Sequence, residues 1–377
     1  MGNGRTARRV GRHLPTPRGQ NPNTRRPRTQ RGAHAVTAVL FSEDYYRQVL
    51  AEFGYTPFDL RRFDFPLAKL DPDTLNVRYL CHHQGEDFAN ADQRRRIVTT
   101  GFGMSGVPHL ATVSHILKMI ELQRGGERCQ IVLGDLDAYN GKARPYAEVR
   151  DLADRFAEYC IRLGFDADAG IVRSQIGHVP ALEAMYLLGR YVDQVDFDAA
   201  EEDNHGYYVE RGLVDPTMTF RRALSLSLMA GDFLALGQDH DAVLVMLGVD
   251  EHRYVRFAQQ VRDRLDEHAP LRAEFALSAA YTRMVRGFGG HPKFSKSIPG
   301  SALDVTIRPE DVHRLLADEP PVPEESATYQ LMCQLPRYDS ATLLDLHRHC
   351  REHGSTWRTA VAEFADYMTW LIDLWPR

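Results

Sequence analysis

Lysine is nearly missing from this chain: its 377 residues carry 41 arginines and only five lysines. Cysteine is scarce as well. Cys81, Cys129, Cys160, Cys333 and Cys350 are scattered, odd in number and form no Cys-x-x-Cys pair. That pattern argues against a disulfide framework or a zinc ribbon and points to a reducing, cytoplasmic setting. No stretch of about 18 apolar residues occurs, so no membrane-spanning helix is expected. Acidic residues are absent from positions 1–35, where nine arginines stand among Pro, Gly, Asn and Thr. The segment 1–36 lacks the apolar core of a secretory signal and is expected to be disordered. It reads as a non-specific RNA-binding arm, since arginine neutralises phosphate whatever the sequence, or as a dispensable extension. With a net charge of −5 overall and nine positive charges in this tail, the rest of the chain carries about −14.

What is present is an alternation of strand-like and helix-like segments. Residues 37–95 form a lead segment, with an amphipathic helix over Phe41–Phe53 and an irregular stretch over Tyr55–Asn90. From Arg96 a rhythm begins. Strands are predicted at Arg96–Gly101, Cys129–Leu133, Ala169–Arg173 and Asp241–Leu247, with helices at Pro108–Gln123, Pro145–Leu163, Pro180–Tyr191 and from the last strand to Leu265. Alternation of this kind means right-handed crossovers and a parallel sheet. The acidic stretch Asp193–Asp215 interrupts it and is expected to be a connecting insertion. The fold class is therefore α/β, a Rossmann-like doubly wound parallel sheet over 96–300, followed by a small all-helical domain over 301–377.

In such a sheet ligands bind at the C-terminal strand ends, near the topological switch point. Three strand ends and one loop carry suitable chemistry. The first strand runs into Gly101-Phe102-Gly103-Met104-Ser105-Gly106, whose glycines let a ligand approach the backbone, and then into His109 at a helix start. Free N–H groups there favour phosphate, although a capping histidine is also an ordinary outcome. The second ends in Asp135 and Asp137, able to hold an ammonium group or the magnesium of a nucleotide, or simply to cap a turn. A fourth strand ends in Gly248-Val249-Asp250-Glu251, where an acid after a glycine can accept from ribose hydroxyls or cap a helix. The loop is Lys293-Phe294-Ser295-Lys296-Ser297. It holds two of the five lysines between Gly/Pro-rich flanks, and lysine is a compact charge suited to following a phosphate. A solvated surface turn is the plainer reading of that loop. His349 and His353, four apart on one predicted helix, are read as part of a solvated polar face, and no metal site is assigned.

In this order, these segments resemble class I aminoacyl-tRNA synthetases of the tyrosine/tryptophan branch. His109-Leu110-Ala111-Thr112 stands where that family has its His-x-Gly-His-type motif, and Lys293–Ser297 where it has its Lys-Met-Ser-Lys-Ser-type loop. Gly134-Asp135-Leu136-Asp137-Ala138-Tyr139 is similar to archaeal and eukaryotic tyrosyl enzymes, and Gly248-Val249-Asp250-Glu251 to the family's Gly-x-Asp-Gln ribose motif. Ser174-Gln175 and Val179-Pro180 look more like the tryptophanyl branch. The likeness covers about residues 96–300 and the C-terminal helix.

The resemblance implies activation of an amino acid by ATP, with Mg2+, to an aminoacyl-adenylate, and transfer of the acyl group to tRNA by a homodimeric cytoplasmic enzyme. His109, Lys293 and Lys296 would be catalytic. Gly101, Gly103, Ser105, Thr112, Gly248, Asp250, Ser295 and Ser297 would join them in holding ATP. Thr99, Asp137, Gln175, Ser225, Met229, Asp232 and Glu251 would surround the amino acid, with Asp232 accepting the substrate's phenol O–H or indole N–H. The pattern also departs from the family. Thr112 replaces the second histidine, and Thr99, Asp137, Ser225 and Met229 replace common pocket residues. These changes favour an amino acid other than ordinary tyrosine, and the short helical domain and acidic body favour a biosynthetic paralogue. A nucleotidyltransferase of the same fold and an inactive tRNA-binding homologue are the alternatives.

Overall fold

A computed structural model describes residues 41–57, 67–70, 72–201, 203, 205–296, 298, 300–317, 320 and 322–377. The Arg-rich segment 1–36 and Ser297 lie outside these residues. The described chain belongs to one compact unit.

Seven strands form one sheet: β1 (Thr56–Pro57), β2 (Tyr79–His83), β3 (Arg96–Gly103), β4 (Cys129–Gly134), β5 (Ile171–Ser174), β6 (Ala242–Gly248) and β7 (Ala276–Thr282). Their order is β1-β2-β7-β6-β3-β4-β5. The five strands from β7 to β5 are parallel, and β2 and β1 add to the β7 edge antiparallel. The chain leaves β3 toward β4 and β5, then returns to β6 on the other side of β3. The switch point therefore lies between the ends of β3 and β6, beyond Gly103 and Gly248. Doubly wound sheets open a crevice there.

The lead segment corrects one expectation. Tyr55–Asn90 is not irregular: β1, β2 and the helices Pro72–Arg78 and Gly85–Asn90 come from it. The expected parallel strands all form. β7 was not foreseen, because Ala276-Leu277-Ser278-Ala279-Ala280-Tyr281-Thr282 is rich in small residues of low strand preference. Its lack of bulk suits a strand packed on both faces. Leu277, Ala279, Ala280 and Tyr281 are all buried.

Helices cover both faces. On one side, the helix Phe220–Asp239 packs on the helix Val179–Leu188. Gly231 makes that contact possible: a Cβ there would lie 2.6 Å from the Ala181 carbonyl oxygen. On the other side, one continuous apolar core joins Val98 of β3 and Leu110, Val113 and Ile116 of the helix Leu110–Arg124 to Trp357, Phe364 and Trp375 near the C-terminus. Segments 96–300 and 301–377 thus share a core. Polar ties cross the same boundary. Buried Lys118 donates to Gln334 Oε1 at 2.6 Å, and the Tyr159 hydroxyl donates to the Leu371 carbonyl at 2.8 Å. The helices Pro309–Ala317, Ala327–Gln334, Ser340–Glu352 and Ser355–Asp373 make up the C-terminal segment. Within it His349 Nδ1 lies 3.1 Å from Glu352. Among the described residues no helix is long and apolar enough to cross a membrane.

Candidate active site

A cavity of about 360 Å³ opens at the switch point. Its wall contains Gly101, Gly103, Ser105, His109, Thr112, Asp137, Gln175, Ser225, Met229, Asp232, Gly248, Asp250, Glu251, Lys293, Ser295 and Lys296. Elements far apart in sequence thus bring most of the residues singled out above to one place. Asp135, described below, is one exception among the described residues, and Thr99 is the other. It is fully buried below the cavity, where its hydroxyl accepts from Gln130 Nε2 at 3.4 Å, and Thr100 takes the place on the wall.

His109 sits at the N-cap of the helix Leu110–Arg124. Its Nδ1 accepts the Thr112 backbone N–H at 3.1 Å, and the Thr112 hydroxyl lies 3.3 Å from the same nitrogen. Thr112 therefore braces the ring. Burial lowers the His109 pKa to about 3, with Lys296 and Lys293 adding to the effect. A neutral ring whose Nδ1 accepts carries its proton on Nε2, so His109 is a hydrogen-bond donor without a charge. The helix start is fixed from behind: the Leu110 N–H donates to the Leu303 carbonyl at 2.8 Å and the Val305 N–H to the Pro108 carbonyl at 3.1 Å.

The lysine loop is anchored by its apolar member. Phe294 is buried, 5.3 Å from the Phe288 ring and 6.0 Å from His109, edge to face with the imidazole. Ser301 closes the loop, its hydroxyl accepting the Ser295 N–H at 3.1 Å. On this support, Lys293 forms a buried ion pair with Asp250 and lies 5.6 Å from the Tyr208 ring centre. Lys296 donates to the Gly103 carbonyl at 2.9 Å. Gly248 is needed nearby, since a Cβ there would lie 2.6 Å from Asp250 Oδ1. Burial lowers the Lys296 pKa to about 8, against the pull of Glu251 and Asp137. The lysine is a cation below that pH and neutral above it. If it holds phosphate, kcat/KM for ATP falls as pH rises through about 8. Lys296→Arg, which stays protonated, should remove the fall; an unchanged descending limb in that variant would rule Lys296 out as its source.

The two aspartates after β4 divide their roles. Asp135 is structural: its Oδ1 accepts the backbone N–H groups of Leu136, Gln175 and Ile176 at 2.8, 3.1 and 3.2 Å, which locks the end of β4 to the end of β5. Asp137 lines the cavity. Burial raises its pKa, while Lys142 and Ser225 oppose the rise. Ser225 Oγ also donates to the Asp137 carbonyl at 3.2 Å.

Asp232 lines the cavity and is braced by the protein. Oδ1 takes Arg173 Nη2 and Oδ2 takes Gln175 Nε2, each at 2.7 Å, and a carboxylate has about four acceptor sites. The side chains of Arg173 and Asp232 are only 12% and 3% exposed. Breaking a buried ion pair by removing one partner costs about 3–5 kcal/mol, whereas a hydrogen bond to a charged group returns about 1.5–3 kcal/mol. A substrate O–H or N–H therefore does not displace Arg173, and the lone pairs that remain on Asp232 leave it able to accept one.

Three contributors were missed from the sequence. Lys142 lines the cavity, and lysine scarcity alone could have flagged it: three of the five lysines are on this wall. Arg173 could have been noticed as a charge within the half-buried edge strand β5. The insertion after Asp193 forms two short helices, Gln194–Ala199 and His205–Glu210, and supplies Ala200, Glu201, Tyr208, Leu213, Val214 and Met218 to the wall. Nothing in its polar, acidic sequence marked it as part of a site.

Residues 91–318 match the family model of tRNA synthetases class I (W and Y). The chain belongs to this family. Its members are ligases, and that enzyme class holds for this aminoacyl-tRNA synthetase chain. A tyrosine–tRNA ligase of Archaeoglobus fulgidus is 23% identical over 252 residues, covering 62% of this chain and 70% of that protein. Tryptophan–tRNA ligase 1 of Halobacterium salinarum is 22% identical over 229 residues, covering 58% of this chain and 41% of that protein. Among solved structures, tryptophanyl-tRNA synthetase from Aeropyrum pernix K1 superimposes with a TM-score of 0.67 at 21% identity, over 88% of this chain and 96% of that one. Tyrosyl-tRNA synthetase from Archaeoglobus fulgidus, complexed with L-tyrosine, gives 0.64 at 19% identity, over 80% and 97%. These structural likenesses establish the fold. Tyrosine and tryptophan relatives are equally distant, so the synthetase's amino acid must be sought in its own pocket.

Proposed function

We propose that the chain activates an amino acid with ATP in this cavity and transfers the acyl group to tRNA. The observation that carries the reading is the convergence of His109, Asp250, Lys293 and Lys296, from three separate loops, on the switch-point crevice. In the first step, an oxygen of the amino-acid carboxylate attacks the α-phosphorus of ATP. The bond to the β-phosphate bridging oxygen breaks and pyrophosphate leaves. His109 Nε2–H donates to the oxygen on which charge builds, the kind of stabilisation that works best from a preorganised donor. Lys293 and Lys296 hold the outer phosphates. Asp250 takes the ribose hydroxyls, exchanging Lys293 for them as Lys293 turns to phosphate. In the second step, a ribose hydroxyl at the tRNA end attacks the acyl carbon and AMP leaves.

Gly101, Gly103 and Gly248 give the nucleotide backbone-close room. Asp137 is placed to accept the substrate ammonium. Magnesium belongs to the proposal as a companion of the phosphates. No group of three or more His, Cys, Asp or Glu among the described residues is placed to hold a metal. The ion would be held mainly by phosphate and water and would neutralise phosphate charge. Homodimeric assembly is part of the same proposal.

The test is charging of total tRNA with ATP and an amino-acid panel, read on acid gels. ATP-dependent acyl-tRNA is the expected product. ATP binding with no acylated RNA for any amino acid would overturn the transfer half.

A further inference from the structure

We propose that Tyr208, from the insertion after Asp193, is a positioning residue for Lys293: its ring face keeps the ammonium within reach of the ATP phosphates once ribose takes Asp250. This rests on the reading of the cavity as an ATP-dependent activating site. The helix His205–Glu210 places Tyr208 on the cavity wall. Lys293 Nζ lies 5.6 Å from the centre of its ring, inside the roughly 6 Å over which an aromatic face attracts a cation. Tyr208 is only 6% exposed, and the attraction is larger where water is excluded.

Charge explains what a ring adds there. In the free enzyme Asp250 pairs with the Lys293 ammonium and neutralises it. When ribose hydroxyls take that carboxylate, the ammonium needs support that does not compete with phosphate. A ring face attracts it through a quadrupole. It uses none of the three N–H donors of the lysine and cancels none of its charge. Lys296 repeats the arrangement. Its Nζ lies 5.2 Å from the Phe156 ring centre and donates to a neutral acceptor, the Gly103 carbonyl. Each lysine of the loop thus has an aromatic ring beside it, one from the main core and one from the insertion.

The insertion holds its ring in place. Tyr207, Tyr208 and Val214 pack with Ile298, just past the lysine loop, in a small apolar cluster of their own. The Arg211 guanidinium stacks on Tyr207, 3.5 Å from the ring centre. Neighbouring residues are tied to the body of the fold. Asp203 accepts the Tyr45 hydroxyl, and Arg253 Nε at 2.8 Å. Arg222 donates to the Asp215 and Thr217 carbonyls at 3.1 and 3.3 Å. Tyr208 is therefore a fixed face past which Lys293 turns.

The experiment is amino-acid-dependent ATP–pyrophosphate exchange in Tyr208→Leu, Tyr208→Phe, Lys293→Met and Tyr208→Leu/Lys293→Met. Leucine keeps an apolar contact for Ile298 but has no ring face, so kcat/KM for ATP should fall about 10-fold. Phenylalanine keeps the face and should stay within about threefold of the wild type. On top of Lys293→Met, the leucine substitution should cost less than about twofold, because the cation it serves is gone. Should Tyr208→Leu not fold, Tyr208→Met, which also lacks a ring, is measured in its place with the same expectations. A loss in Tyr208→Phe equal to that in Tyr208→Leu would assign the effect to the hydroxyl and overturn this inference. An equal cost of the leucine substitution with and without Lys293 would make the ring merely structural and overturn it too. Either result leaves the parent reading standing. Wild-type exchange that needs no amino acid overturns the parent reading and this inference with it.

Discussion

Lys293→Met is expected to lower the unfolding free energy by about 3 kcal/mol, the low end for a broken buried ion pair because the cavity admits water. The side chains of Lys293 and Asp250 are 9% and 5% exposed. Removing the ammonium leaves the carboxylate in a poorly solvated site with its main counter-charge gone. The double variant Lys293→Met/Asp250→Asn removes both charges and should recover more than half of that loss, since a neutral pair carries no uncompensated charge. Urea unfolding of the wild type, of Lys293→Met and Asp250→Asn singly and of the double variant measures the coupling directly. Activity should not follow stability. Lys293→Met and the double variant lack the phosphate-holding cation, and the double variant also lacks the ribose acceptor, so pyrophosphate exchange stays low in both. A double variant whose loss equals the sum of the two single losses would mean that the pair is not coupled.

His109→Asn is expected to lose about 10²–10³ in kcat for adenylate formation, with KM for ATP changed much less and stability nearly unchanged. Asparagine is among the best N-cap residues, so it can replace His109 in holding the start of the helix Leu110–Arg124. Its side chain is too short to present a donor where Nε2–H lies. The variant separates the two jobs of His109, joined in one ring: Nδ1 caps the helix, and the ring lines the cavity with Nε2 left to donate. His109→Ala removes both and should add about 1 kcal/mol of destabilisation. A His109→Asn enzyme with wild-type kcat would reduce His109 to a cap.

Much of this arrangement was legible in the chain, for identifiable reasons. β3, β4 and β6 carry runs of Val, Ile and Leu that alternate with helical periodicity, so the parallel sheet and its switch point follow from local pattern and crossover handedness. The lysine loop stood out because its residue type is rare here. β7 did not, since its alanines become a strand only through neighbours on both faces. The same holds for Arg173 and Asp232. They are 59 positions apart, and their ion pair is visible in neither element alone. Pairing across the fold decides how much of a buried carboxylate is left for a ligand. Thr99 illustrates this too: strand alternation places its side chain below the sheet end, bonded to Gln130, while its neighbour Thr100 reaches the cavity.

The central claim is that the crevice between β3 and β6 forms an aminoacyl-adenylate. Amino-acid-dependent ATP–pyrophosphate exchange measures that step without requiring the tRNA to be known. The account predicts exchange that depends strictly on one added amino acid, and falls by about 10²–10³ in Lys296→Ala, as for loss of a transition-state charge contact. Exchange that proceeds equally without any amino acid, or that Lys296→Ala leaves intact, would contradict it.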